Sequence, residues 1–136
     1  MSYRIEEIEG IGPAKTAALL KADIKTTEQL LAAAGSKKGR EQTAAATGLD
    51  TKQLLKFVNL ADLMRIKGVG EEYSELLEAG GVDTVKELAH RVPANLHKKL
   101  GEVAAANPRL VRRAPNAGEC AAWVAEAKTL QPMVTH

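Results

Sequence analysis

The sequence predicts an all-α protein, and three observations carry that expectation. Apolar residues fill 45% of the 136 positions, but aromatic residues only 3%. The core must therefore be built from Ala, Leu, Val and Ile; Ala and Leu are strong helix formers, and β-rich folds draw heavily on aromatic residues. A Gly-x-Gly segment occurs twice, 58 residues apart, each time ahead of a helix-like stretch. The same helix-start signal, Thr26 with Gln29 and Thr84 with Glu87, also recurs at that spacing.

The elements follow in order. Ser2 can cap a first short helix over about residues 3–8. Gly10-Ile11-Gly12 turns the chain, and Pro13 suits the first position of a second helix because its missing N–H costs nothing there. That helix runs to about Ala22. Thr26 starts a third, which ends near Gly35. A fourth spans roughly residues 37–47 and stops at Gly48. Asp50 can cap a fifth, with Leu54, Leu55 and Val58 on one stripe. In the second copy, Gly80-Gly81 closes the helix that follows the Gly68-Val69-Gly70 turn. Pro93 opens a helix over about 94–106, and Asn107-Pro108 breaks it. Asn116 can cap a last helix, whose buried face would be Cys120, Trp123, Val124, Ala127 and Leu130.

The repeat is gapless over its first part. Ile8-Glu9-Gly10-Ile11-Gly12 returns as Ile66-Lys67-Gly68-Val69-Gly70, and Leu19, Ile24, Thr26 and Leu30 align with Leu77, Val82, Thr84 and Leu88. Charge alternates with it: 4 basic against 5 acidic residues over 1–34, 5 against 2 over 35–56, 3 against 7 over 57–90, and 7 against 3 over 91–136. No Gly/Ser/Pro linker separates the copies. Two units are expected, residues 1–60 and 61–136, of about five short helices each and packed as one body.

A short helix, an apolar-Gly-apolar-Gly turn and a second helix resemble the helix-hairpin-helix family, with Ile8–Ala17 the better copy. With the continuation Leu19–Leu30, the first unit is similar to the N-terminal domain of RecA-like recombinases and to the C-terminal domain of the RNA polymerase α subunit. The tandem as a whole resembles a group of small bacterial helix-hairpin-helix proteins of unknown function, through Ala61–Gly70 and the terminal Trp123 with Ala125-Glu126-Ala127-Lys128. The resemblance implies a fold and contact with DNA, with protein, or with both. It also allows a monovalent ion on the turn's carbonyls.

Glycine lets another backbone approach closely, and a helix N-terminus carries partial positive charge and free N–H groups that suit a phosphate. The expected DNA-binding residues are therefore Gly10, Ile11, Gly12 and Lys15, with Lys37, Lys38 and Arg40 nearby; Lys67, Gly68 and Gly70 form a weaker second set. Such contacts read the phosphate backbone of duplex DNA and not its bases. Glu9, and the run Glu71, Glu72, Glu75 and Glu78, oppose phosphate. Further basic residues, Arg91, Lys98, Lys99, Arg109, Arg112 and Arg113, form either a patch or a solvated surface. Without aromatic companions they make no stacking platform for single strands. The alternative is a protein-interaction adaptor in which both turns are structural and the acidic second unit receives a basic partner.

No enzyme is expected. With one cysteine, Cys120, and three histidines, His90, His97 and His136, no zinc-ligand spacing exists, and no cofactor or metal is predicted. Cys120 falls on an apolar stripe and reads as an inert core residue. Nucleotide-binding and nucleophile motifs are missing. No stretch has a membrane span's length, the opening Met1–Glu7 lacks an apolar leader, and a lone cysteine suits a reducing cytoplasm.

Overall fold

The computed structural model describes residues 2–136; Met1, the first residue of the opening segment, lies outside them. A single 3-10 turn, Ile5–Glu7, precedes α1 (Pro13–Lys21), α2 (Thr27–Ala34), α3 (Lys37–Thr47) and α4 (Thr51–Leu63). Then come α5 (Glu71–Ala79), α6 (Val85–Ala89), α7 (Pro93–Ala106) and α8 (Ala117–Ala127). The protein is all-α, with no named strand among the described residues. One isolated antiparallel bridge joins Arg4 to Thr26.

Most starts and stops follow the chemistry of the ends. Pro13 and Pro93 open α1 and α7, Gly48 at φ +78° ends α3, and Asn116 accepts from the Glu119 amide at 2.8 Å while the Glu119 carboxylate accepts from the Asn116 amide at 3.0 Å. Several details differ from expectation. The first helix shrinks to the 3-10 turn, started by Arg4 and not Ser2, with the Arg4 amide on the Glu7 carboxylate at 3.1 Å. Thr26 and Thr84 do cap α2 and α6, but the Gln29 side chain reaches the Lys25 amide and Glu87 pairs with Arg91. Asp50 precedes α4 without a side-chain cap bond. Leu130 lies beyond the end of α8, although it still packs against the core.

The 58-residue repeat extends to the main chain. Ile11 N donates to Ile8 O at 3.2 Å, and Val69 N to Ile66 O at 3.0 Å. Ile24 N meets Leu19 O at 3.0 Å, and Val82 N meets Leu77 O at 2.9 Å. Gly10 and Gly68 take φ values of +92° and +87°, in the left-handed region that disfavours any Cβ. Ile5, Ile8, Ile11, Leu19, Ile24 and Leu30 are buried in one cluster; Leu63, Ile66, Val69, Leu77, Val82 and Leu88 are buried in the other.

A boundary between residues 60 and 61 falls inside α4, which serves both clusters. Phe57, Val58, Leu60 and Ala61 belong to the first, and Leu63 to the second. The second cluster thus has four helices of its own, α5–α8, plus the end of α4. Buried Asp62 fixes this junction: one carboxylate oxygen accepts from the Val85 amide at 2.8 Å and the other holds Arg65 at 2.8 Å. At the far end, the chain after α8 returns to the first cluster. Thr135 N donates to Gly35 O at 2.9 Å, and Val134 packs beside that core. Gly35 has ordinary helical φ, but a Cβ there would collide with the carbonyl oxygens of Met133 and Leu31.

Candidate nucleic-acid interface

The first turn presents Gly10 and Gly12 at the surface with Ile11 pinned in the core below them. Gly12 is the N-cap of α1, so the amides of Ala14 and Lys15 open the helix without intrahelical partners. Lys15 is half-buried and folds back over its own turn. Its Nζ lies 3.4 Å from Gly10 O and 5.4 Å from the centre of the Phe57 ring. The ammonium thus sits at the mouth of the turn, steadied by a carbonyl and an aromatic face.

The second turn has the same backbone but is already occupied. The Lys67 amide donates to the Glu126 carboxylate of α8 at 3.0 Å. Tyr73 takes the place of Lys15; its ring lies 5.1 Å from that of Trp123, and its hydroxyl donates to Arg113 O at 3.0 Å. Lys67, Gly68 and Gly70 therefore surround an amide that carries a protein carboxylate. Among the described residues the equivalent amide of Glu9 receives none.

The remaining expected residues separate. Lys37 and Lys38 are exposed on the first turn of α3. Arg40 is not a surface cation: it is 4% exposed, and its guanidinium donates to the carbonyls of Ala34 (3.1 Å), Gly35 (2.7 Å) and Thr135. Burial lowers its pKa from the usual guanidinium value. Its acceptors are the last carbonyls of the α2 end and that of Thr135, where the chain after α8 returns. Arg40 ties the returning chain to the first unit and leaves the predicted DNA-binding set. Lys52, which the sequence reading passed over, lines one hollow with Lys37, Arg40 and His136. Its position at the start of α4 gave no sign of this, because the meeting of α3, α4 and the chain end is a tertiary fact.

Among the described residues, two of the three arginines in the basic loop of the second unit are paired, and Arg109 is not. Arg112 pairs with Glu72 at 2.8 Å and Arg113 with Glu119 at 2.9 Å, which holds both carboxyls below their ordinary range. Arg91 pairs with Glu87 at 3.1 Å. The acids of α5 are only partly answered. Glu9 reaches Glu71, and together with Glu72, Glu75, Arg109, Leu110 and Arg112 they line a groove of about 770 Å³. Desolvation, and then the neighbouring Glu9, push Glu71 above its usual value; desolvation and Glu9 do the same to Glu75.

Cys120 is fully buried, and its surroundings push the thiol up to about 11, so no thiolate is available at neutral pH. Among the described residues no group of three His, Cys, Asp or Glu side chains is placed to hold a metal ion. None of their helices is long and apolar enough to cross a membrane.

With that geometry in place, the chain belongs to the family described as Domain of unknown function (DUF4332), whose profile matches residues 9–130 and so spans both turns. No curated protein and no solved structure matches it.

Proposed function

We propose that this DUF4332 chain is a non-enzymatic binding module whose two turns are helix-hairpin-helix motifs, and that the first grips the phosphate backbone of DNA. The observation that carries this reading is the Glu126 carboxylate on the Lys67 amide. This turn takes an anion where the chain supplies one, and the matching site in the first unit is open. The cations agree with that assignment. Among the described residues four of the five ion pairs lie at or after Asp62, whereas Lys37, Lys38 and Lys52 pair with no carboxylate. The interface consists of Gly10, Ile11 and Gly12 with the first amides of α1, Lys15 at the mouth, and Lys37 and Lys38 as longer-range attraction. A reducing, intracellular setting suits a chain whose single thiol is buried.

Fluorescence anisotropy with labelled duplex and single-stranded DNA tests this at several salt concentrations. The expected result is micromolar duplex binding that weakens steeply with salt. Lys15→Glu should weaken it about tenfold or more with little change in melting temperature, and Glu9→Gln should strengthen it by removing a carboxylate beside the phosphate. Flat anisotropy at physiological salt, or identical affinity in the Lys15→Glu protein, overturns the reading.

A second reading rests on the groove. Glu9, Glu71 and Glu75 crowd together there and none of them has an ion-pair partner among the described residues, so a basic protein segment fits beside them. In that case the Glu9→Gln substitution weakens capture of a basic partner, the opposite sign to its effect on DNA.

A further inference from the structure

Three cationic side chains and a histidine meet at one hollow in the first unit. Lys37 and Arg40 come from α3, Lys52 from the start of α4, and His136 from the returning chain end. The hollow has a volume of about 160 Å³, and Thr51, Leu55 and Glu41 complete its lining. Glu41 is the only acidic side chain in that lining, and the main chain of His136 adds a terminal carboxylate at its edge. Arg40 is the built element: more than nine-tenths of it is buried, it bonds only carbonyls, and it pairs with no acid. Carbonyl dipoles satisfy its N–H groups without cancelling its charge, so positive potential persists at the hollow.

The polar groups around it suit an acceptor-only ligand. The start of α4 contributes the Thr51 hydroxyl and first-turn amides that the Asp50 side chain leaves uncapped. Lys37 and Lys52 are exposed and can swing onto a ligand without leaving another partner. Space for one tetrahedral anion, two mobile ammonium groups and a fixed buried guanidinium describe a phosphate site.

We propose that this hollow binds a compact phosphate group, with Lys37 and Lys52 in contact and Arg40 supplying fixed positive potential behind them. The site uses nothing from the Gly10–Gly12 turn and stands whether or not that turn holds DNA. A phosphate monoester fits better than an internal diester, because a half-enclosed hollow admits a chain end more readily than a chain passing through.

The test is a titration of the full chain, labelled with 15N, with inorganic phosphate against chloride at constant ionic strength. Saturable shifts are expected at Thr51–Leu55 and Lys37. Lys37→Gln and Lys52→Gln should each weaken binding about fivefold, and Glu41→Gln should strengthen it; both lysines are exposed, so the spectra will confirm the fold. Shifts that never saturate, or that are unchanged in Lys37→Gln and Lys52→Gln, overturn the proposal. A 5′-phosphorylated oligonucleotide against its 5′-hydroxyl twin then separates the sources. Tighter, Lys52-dependent binding of the phosphorylated strand assigns the phosphate to a nucleic-acid end. Equal binding of the two strands, with saturable inorganic phosphate, assigns it to a small phosphorylated molecule. Lys15→Glu should leave phosphate binding untouched, so failure at the turn and failure at the hollow give different results.

Discussion

At Gly10 an added Cβ would meet Phe57 Cε1 at 3.3 Å; at Gly68 it would meet Trp123 Nε1 at 3.6 Å. Each turn is thus pressed against one aromatic ring, from α4 in the first unit and from α8 in the second. The ring's other neighbour differs. Lys15 covers Phe57, and Tyr73 covers Trp123. Main-chain bonds and core positions repeat, whereas the polar partners have diverged. The first unit holds 9 basic and 7 acidic residues up to residue 60, and the second holds 10 of each. The second closes its charges on itself: Glu126 on the Lys67 amide, Glu72 on Arg112, Glu119 on Arg113. The lesson is that the turn geometry alone does not decide what such a unit binds.

The largest test of this comparison is at the entrance to each unit. In the first, the Thr27 amide donates to Tyr3 O at 2.8 Å. In the second, the counterpart of Tyr3 is residue 61, inside α4, and the matching Val85 amide donates to the Asp62 carboxylate at 2.8 Å. Asp62→Ala should leave both that amide and Arg65 without an acceptor and cost about 3 kcal/mol, read as a lower urea midpoint. Thr27→Ala removes a hydroxyl that accepts from the Tyr3 amide but keeps the main-chain bond, and should cost about 1 kcal/mol. Equal losses would mean that the two entrances are equivalent after all.

The glycines come next. Gly10→Ala and Gly68→Ala both force a Cβ into positive φ and should each cost about 1–2 kcal/mol. The Gly10 variant should lose more, because 3.3 Å to a buried ring leaves less room than 3.6 Å. The reverse order, measured by thermal unfolding, would show that Phe57 yields more easily than Trp123.

These contrasts also explain what the sequence disclosed. Helix ends were legible where a local residue sets them, as at Pro13, Gly48, Pro93 and Asn116. The spacing of 58 located both turns and their core residues. The brace of Arg40 was not legible. A Lys-Lys-Gly-Arg run reads as a basic surface, but the carbonyls of Ala34 and Gly35, joined by that of Thr135 from 95 residues away, hold its last member inward. The Glu126 cap on Lys67 was hidden for the same reason, with 59 residues between partners. The groove acids were visible as a charge run, but their meeting with Glu9 needed the two units side by side.

That meeting supplies the smallest effect and the most direct measure of how the units differ in charge. Glu71 has its pKa raised in the folded protein, so the fold binds its proton more tightly than the unfolded chain does. Stability from this group is complete below the ordinary carboxylate value and is lost as pH rises through the raised one. Glu72 and Glu119, held low by arginine, act in the opposite direction: they stabilise above the ordinary value and lose that contribution on acidification. The profile of the wild-type protein is therefore a balance, and the informative quantity is the difference from Glu71→Gln. A glutamine amide keeps a hydrogen bond to Glu9 without the second charge. The variant should melt about 1–2 °C higher at neutral pH, and the gap should close as pH falls below the ordinary carboxylate range, where Glu71 is protonated folded and unfolded alike. A gap that stays constant with pH would place the benefit in packing and remove the repulsion between Glu9 and Glu71 as its cause.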